Sequence, residues 1–338
     1  MNSSAWKIAH ASVIGTSHLA RGTECQDRFD FRILDDSEGE VLVVVLADGA
    51  GSSELSQVGA ELACRLFVQQ IAVHFESEGK LTDLNKDFGV FWLEYFRQKI
   101  TEQATEENKP IKEYACTFLA AVVGEDGAVF YQVGDGAIVC SLTGEAETYF
   151  FPITPTKKIY ANATNFITGE SAEKYLVYDY IPEAIEDLAM FTDGVESFAV
   201  NFQTEMPHEP FLRPMLAPLR KADQTNANIN DNLAEFLDSP RINDKTDDDK
   251  TLFLASRHVP PSPPLSGEVP DARADDQRHC SEVSNAVTTS ADNVAPIIIP
   301  NNFEHPDSDE FVAPSAASES GESTDGTGEE NQRRKFES

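Results

Sequence analysis

Apolar positions in the first fifty residues fall into short strand-like segments. Trp6–Ile14 is followed by Phe29–Leu34 and by the unbroken run Val41–Ala47, the last two joined by an acidic, glycine-containing turn at Asp35–Glu40 that predicts a hairpin. From Ser56 the period changes. Val58, Leu62, Cys64, Leu66, Phe67 and Ile71 recur at three- and four-residue spacing, which predicts an amphipathic helix to about Phe75. A second helix is expected over Leu84–Thr105, with Phe88, Phe91, Trp92, Tyr95 and Phe96 on its apolar, core-facing side. Strands return at Cys116–Val123, Ala128–Val133 and Ala137–Leu142, punctuated by Gly124–Gly127 and Gly134–Gly136. A Pro-, Thr-, Asn- and Gly-rich stretch at 152–172 reads as a surface loop. Tyr175–Tyr180 and Asp187–Thr192 read as strands, Phe211–Leu237 as helical pieces broken by Pro214 and Pro218, and Thr251–Ala255 as the last strand. Strand pairs around two long helices predict an α+β fold of layered antiparallel sheets, not an alternating β-α-β chain.

Composition sets the domain boundary. After Arg257 the chain enters VPPSPPLSGEVP and then a stretch dominated by Ser, Asp, Glu, Pro, Ala and Thr. Such a segment buries too little apolar area to offset its ordering entropy, so 1–257 is expected to be one folded domain and 258–338 an acidic, disordered tail. Ile297-Ile298-Ile299-Pro300 and Arg333-Arg334-Lys335 stand out in that tail as short docking motifs, and its acids could make it an autoinhibitory pseudo-substrate instead of a tether.

Charge narrows the function classes. With 58 Asp+Glu against 26 Lys+Arg the net charge is -32. A binder of nucleic acid needs a basic face to release counterions, and an anionic membrane surface would repel this chain. The longest apolar run, Val41–Ala47, is far short of the roughly 20 residues a membrane helix needs. Met1–Ser12 shows no secretory pattern, and Cys25, Cys64, Cys116, Cys140 and Cys280 form no CxxC pair, so a cytoplasmic protein with reduced thiols and no zinc site is expected.

The candidate chemistry lies in carboxylates at strand ends. Asp48 follows VLVVVLA and precedes Gly49; Asp135 follows VFYQVG and precedes Gly136; Asp193 follows LAMFT and precedes Gly194; Asp247-Asp248-Asp249 precedes TLFLA. One Asp-Gly pair at a strand end is ordinarily a turn. Three of them plus an Asp run are more specific, because strand ends shared by one sheet edge would crowd carboxylates that repel unless a cation intervenes. Oxygen donors select a hard divalent ion, Mg²⁺ or Mn²⁺.

The ordered motifs GTSH and CQD (Gly15–His18, Cys25–Asp27), ADGAGS (Ala47–Ser52), ACTFLAAVV with QVGDG (Ala115–Val123, Gln132–Gly136), MFTDG (Met190–Gly194) and TDDDKT (Thr246–Thr251) resemble the metal-dependent protein phosphatase family of the protein phosphatase 2C type. With YANATNFIT (Tyr160–Thr168), they resemble its compact bacterial serine/threonine subtype. The resemblance implies a four-layer α-β-β-α sandwich, two antiparallel sheets flanked by helices, with a two-metal centre in a cleft at one sheet edge. It also implies hydrolysis of phosphoserine or phosphothreonine by water activated between two Mn²⁺ or Mg²⁺ ions, without a covalent phosphoenzyme. Carried over by position, Asp48 bridges the two ions and the Gly49 carbonyl binds the second. Asp193 and Asp248, three residues before the Thr that opens the last strand, complete the first site. Asp27 holds ion-bound water, and Asp135 matches the acid of a weaker third site. The implied partners are a phosphoprotein substrate and an opposing serine/threonine kinase, with the enzyme a monomer and loop 152–172 contributing to substrate choice.

Four positions depart from the family pattern. Gly22 stands where many members have a phosphate-binding Arg, leaving His18 and Arg21 as candidates for that grip. Gln26 replaces a common Glu, Ala50 a His proposed as general acid, and Ser197, next to Glu196, an acid of the third site. The alternative reading is a weak or inactive pseudophosphatase that binds phosphoproteins or acts as a sensor; hydrolysis of a small-molecule phosphate is a minor third.

Overall fold

The computed structural model describes residues 4–145, 148–155, 164–221 and 228–257. The tail with its two motifs, most of YANATN and part of loop 152–172 lie outside the described residues. Strands β1 (Trp6–Val13), β2 (Arg28–Asp35), β3 (Glu40–Ala47), β4 (Phe118–Val123), β5 (Ala128–Val133), β6 (Ala137–Leu142), β7 (Val177–Ile181), β8 (Ile185–Phe191) and β11 (Lys250–Arg257) build two sheets. One runs β1-β11-β8-β6, the other β2-β3-β4-β5-β7, and every pairing is antiparallel. A two-strand ribbon, β9 (Val200–Asn201) and β10 (Met206–Pro207), stands apart.

Strand β3 shows why the sheets stack. Its residues alternate between two cores: Val41, Val43, Val45 and Ala47 face one, Leu42, Val44 and Leu46 the other. A strand buried on both faces reads as continuous apolar sequence. The first core is closed by α2 (Ser56–Glu76) and α3 (Lys86–Glu106), through Phe67, Ile71, Trp92, Leu93 and Phe96. The second lies between the sheets, around Phe130, Ile138, Leu188, Met190 and Phe253. Helices α5 (Glu209–Lys221) and α6 (Ile229–Leu237) cover the outer face of the four-stranded sheet. The layers are therefore α-β-β-α, as expected.

Two local expectations are corrected. Phe91 is 53% exposed, because at 100° per residue it lies roughly opposite the arc of Gly89, Trp92, Leu93, Phe96 and Ile100 that faces the core. Helix α5 runs through Pro214 and Pro218 instead of breaking. Pro210, Pro214 and Pro218 recur every fourth residue on the solvent side, so the unmade hydrogen bonds fall where water reaches them, while Phe211, Leu212, Met215, Leu216 and Leu219 stay buried. The short helices α1 (Thr16–Arg21), α4 (Asp193–Ala199) and α7 (Pro240–Asn243) were not expected from periodicity.

Candidate active site

Antiparallel register decides which chain ends meet. In the four-stranded sheet Val13 pairs with Lys250, Leu252 with Phe191, and Phe191 with Ala137. In the other sheet Arg28 pairs with Ala47, Leu46 with Leu119, and Phe118 with Val133. The end of β3, the β5–β6 turn, the end of β8 and the start of β11 thereby gather at one edge, carrying Asp48, Asp135, Asp193 and Asp248.

The carboxylates of Asp48, Asp135 and Asp193 each offer an oxygen within 4.8 Å of the other two. Burial, followed by the charges of Asp27, Asp193, Asp248 and Asp135, holds the Asp48 carboxyl well above the ordinary range. Asp248 is raised for the same reasons, burial first and Asp193 next. Asp27 is 2% exposed and pushed up to about 8, again chiefly by burial. Its Oδ2 accepts a hydrogen bond from Thr192 Oγ1 at 2.7 Å, while its buried Oδ1 has no hydrogen-bond partner in the structure.

The backbone around each acid is fixed by neighbours that no periodicity marks. Thr117 pinches Asp48: its Oγ1 accepts from Asp48 N at 2.9 Å and its own N–H donates to the Asp48 carbonyl at 2.8 Å. Beyond β3, Gly49 still bridges Cys116 and Ala50 N still donates to Ala115 O, so Asp48 rides on an extension of the ladder. Asp193 opens α4, and a Cβ on the next residue, Gly194, would lie 2.0 Å from the Asp249 carbonyl. Only glycine lets this helix start against the β11 turn and bring Asp193 beside Asp248. Asp135 Oδ2 accepts from Thr164 Oγ1 at 2.9 Å, and Glu196 of α4 accepts from Gly136 N at 2.8 Å, tying the β5–β6 turn to the helix. Lys250, wholly buried, donates from Nζ to Asn243 Oδ1 at 2.9 Å below the same turn.

Asp248 is half-buried and accepts from Asp249 N through Oδ1 at 2.9 Å. Asp249, 2% exposed, is turned the other way, against Gly15 N, Gln26 N and His18. His18 is only 3% exposed. Arg21 is exposed and donates back to the carbonyl and hydroxyl of Ser17, at 3.1 and 3.2 Å. Gln26 is buried, with Nε2 3.4 Å from Ser53 O, and Ser197 is exposed. Sequence reasoning missed Thr117, Thr192 and Asp249 as supports of the site. Asp249 alone carried a signal, as a member of the acidic run.

No cysteine is poised as a nucleophile among the described residues. Burial, with Asp27 and Asp249 nearby, pushes the Cys25 thiol up to about 12, and burial raises Cys64, Cys116 and Cys140. Among the described residues no helix is long and apolar enough to cross a membrane.

Comparison with known proteins agrees with this geometry. The family model described as Protein phosphatase 2C matches residues 14–238. The chain is 34% identical over 253 residues to Serine/threonine-protein phosphatase 3 of Escherichia coli (strain K12), covering 74% of this chain and 98% of that protein. Among solved structures, the S. agalactiae serine/threonine phosphatase is similar in fold, with TM-score 0.51 and 17% identity over 75% of this chain and 100% of its own. A bacterial serine phosphatase also gives TM-score 0.51, at 14% identity over 75% of this chain and 98% of its own. Matched over most of its described length and gathering its acids at one sheet edge, the chain belongs to the protein phosphatase 2C family of metal-dependent serine/threonine phosphoprotein phosphatases.

Proposed function

We propose that the domain 1–257 hydrolyses phosphoserine and phosphothreonine on proteins by direct attack of water, acting as a monomer against a serine/threonine kinase. One observation carries this reading: the oxygens of Asp48, Asp135 and Asp193 converge within 4.8 Å at the sheet edge. The donor set fits hard divalent cations. It consists of carboxylate oxygens whose proton affinity is raised by burial first and by one another's charge second, beside a buried Asp27 Oδ1 that lacks a hydrogen-bond partner.

Asp48, the Gly49 carbonyl, Asp193 and Asp248 are the groups assigned to two Mn²⁺ or Mg²⁺ ions, and Asp135 to a weaker third. When bound, the ions supply Lewis-acid activation of water and offset charge on the phosphoryl oxygens. The chain supplies the rest. Thr117 and Thr192 fix the orientation of Asp48 and Asp27, so the acceptors need not reorganise during reaction. Asp27, buried and held at one oxygen, keeps the other to accept a proton or orient a water. For the substrate phosphate we assign Arg21, because its exposed guanidinium sits one residue from Gly22 and donates only to Ser17 among the described residues. His18, the other candidate, is engaged with Asp249.

The test is phosphate release from a phosphothreonine peptide with Mn²⁺, with Mg²⁺ and with EDTA, for wild type and Asp193→Ala. Release that needs the ion and vanishes in the variant is expected. A wild type that binds Mn²⁺ without releasing phosphate would overturn the reading and leave a phosphoprotein-binding module.

A further inference from the structure

Asp249 is as enclosed as Asp27, yet its carboxylate contacts Gly15, Gln26 and His18 and not the acids Asp48, Asp135 and Asp193. Its Oδ1 accepts from Gly15 N at 2.7 Å and its Oδ2 from Gln26 N at 2.6 Å. His18 Nδ1 lies 2.8 Å from the same Oδ2, a close ring–carboxylate contact without hydrogen-bond alignment. Gly15 and Gln26 are the two ends of the excursion between β1 and β2 that contains α1, so one carboxylate closes the base of that loop. The residues beyond each grip are the chemical ones. Asp27 follows Gln26, and Asp248 precedes Asp249. Ser17 N adds a bond to the Asp247 carbonyl at 2.9 Å.

We infer that Asp249 is a positioning residue and not an ion ligand: with His18 as its third arm, it latches the 15–26 excursion to the β11 turn and so holds Asp27 beside Asp48, Asp193 and Asp248. The chemistry of the two backbone donors and the adjoining imidazole supports this. A carboxylate accepts two backbone N–H groups at once, one on each oxygen, and still turns a lone pair towards the imidazole, whereas an amide offers one acceptor oxygen and would set its NH₂ against a backbone donor. An Asp249→Asn chain therefore loses part of the latch at nearly constant volume. His18→Asn places an amide N–H where Nδ1 stood and keeps the third arm, while His18→Leu removes it.

The inference rests on the phosphatase reading only for what Asp27 and Asp248 do. The experiment therefore has two readouts, hydrogen–deuterium exchange of the ion-free protein and Mn²⁺ titration followed by phosphopeptide kinetics. In Asp249→Asn, peptides spanning 15–27 are expected to exchange at least tenfold faster while those of β3 are unchanged. Half-saturating Mn²⁺ should rise about tenfold in Asp249→Asn and His18→Leu, with kcat reduced and KM within twofold. His18→Asn should recover most of both. Unchanged exchange over 15–27 together with unchanged Mn²⁺ affinity in Asp249→Asn would overturn the latch. Loss of one bound Mn²⁺ per chain with unchanged exchange would make Asp249 a ligand instead. His18→Asn as impaired as His18→Leu would refute the third arm. A wild type without phosphate release would refute the phosphatase reading, and the exchange data would still decide the latch.

Discussion

Thr192 Oγ1 donates to Asp27 Oδ2 at 2.7 Å and accepts from Thr251 N at 3.0 Å. One buried hydroxyl thus joins the start of β2, in the five-stranded sheet, to the end of β8 and the start of β11 in the other. Thr192→Val keeps the shape and removes both roles, leaving Asp27 and the Thr251 amide without this partner. The expected cost is about 1–3 kcal/mol of stability, with kcat lowered about tenfold or more, and Thr192→Ser should restore both. Denaturant melts and phosphopeptide kinetics check this; a Val variant as stable and active as wild type would refute it.

Burial of the acids, with their mutual repulsion second, gives the ion-free protein an inverted pH response. Asp27 is pushed up to about 8, and burial likewise raises Asp48 and Asp248. Between the ordinary carboxyl range and about pH 8 the folded chain holds protons that the unfolded chain has released, so stability falls as pH rises across that window. Thermal melts in EDTA should show Tm dropping from pH 5 to pH 8. Because ions bind the deprotonated carboxylates, the Tm gain from saturating Mn²⁺ should be larger at pH 8 than at pH 5. A gain that shrinks with pH would contradict the scheme.

Asp48→Asn should separate function from stability. The amide removes one charge from the raised cluster, so the ion-free variant is expected to melt a few degrees above wild type while losing ion-dependent phosphate release. Differential scanning calorimetry in EDTA reads the first effect. A variant destabilised under those conditions would show that the cluster is not strained.

Two glycines make opposite predictions from different physics. Gly194→Ala puts a methyl 2.0 Å from the Asp249 carbonyl, a backbone atom that cannot swing away, and should cost more than about 2 kcal/mol and disrupt ion binding. Gly22 ends α1 at φ +72 with nothing within 4 Å of a Cβ, so Gly22→Ala should cost only about 1 kcal/mol and leave ion affinity unchanged. Urea melts and Mn²⁺ titration of the pair decide it; equal losses would be wrong for both arguments.

Arg21→Ala should raise KM for a phosphothreonine peptide several-fold with kcat within twofold, because the exposed guanidinium contributes binding that persists through the reaction. An unchanged KM would remove Arg21 as the phosphate grip.

The sheets and long helices were legible because their signal is periodic. Val41–Ala47 announces a strand buried on both faces, and Leu62, Leu66 and Phe67 mark one helix stripe. Helices α1 and α4 are too short to show a period, and the prolines of α5 disguise a helix whose missing bonds face water. At the site, Asp-Gly pairs pointed to strand-end acids. The roles of Thr117, Thr192 and Asp249 depend on hydrogen bonds to residues far away in sequence, such as Gly15 and Asp249 at a separation of 234, and no local pattern encodes them.

Strand β3 shares its residues alternately between two cores and ends directly at Asp48. A slip of one residue would move Asp48 by about 3.3 Å and exchange the whole valine row with the leucine row. The two cores therefore act as a vernier on either side of the strand. Any misfolded pairing that displaces the acid is penalised by every side chain behind it, so the placement of one carboxylate is underwritten by the packing of an entire domain.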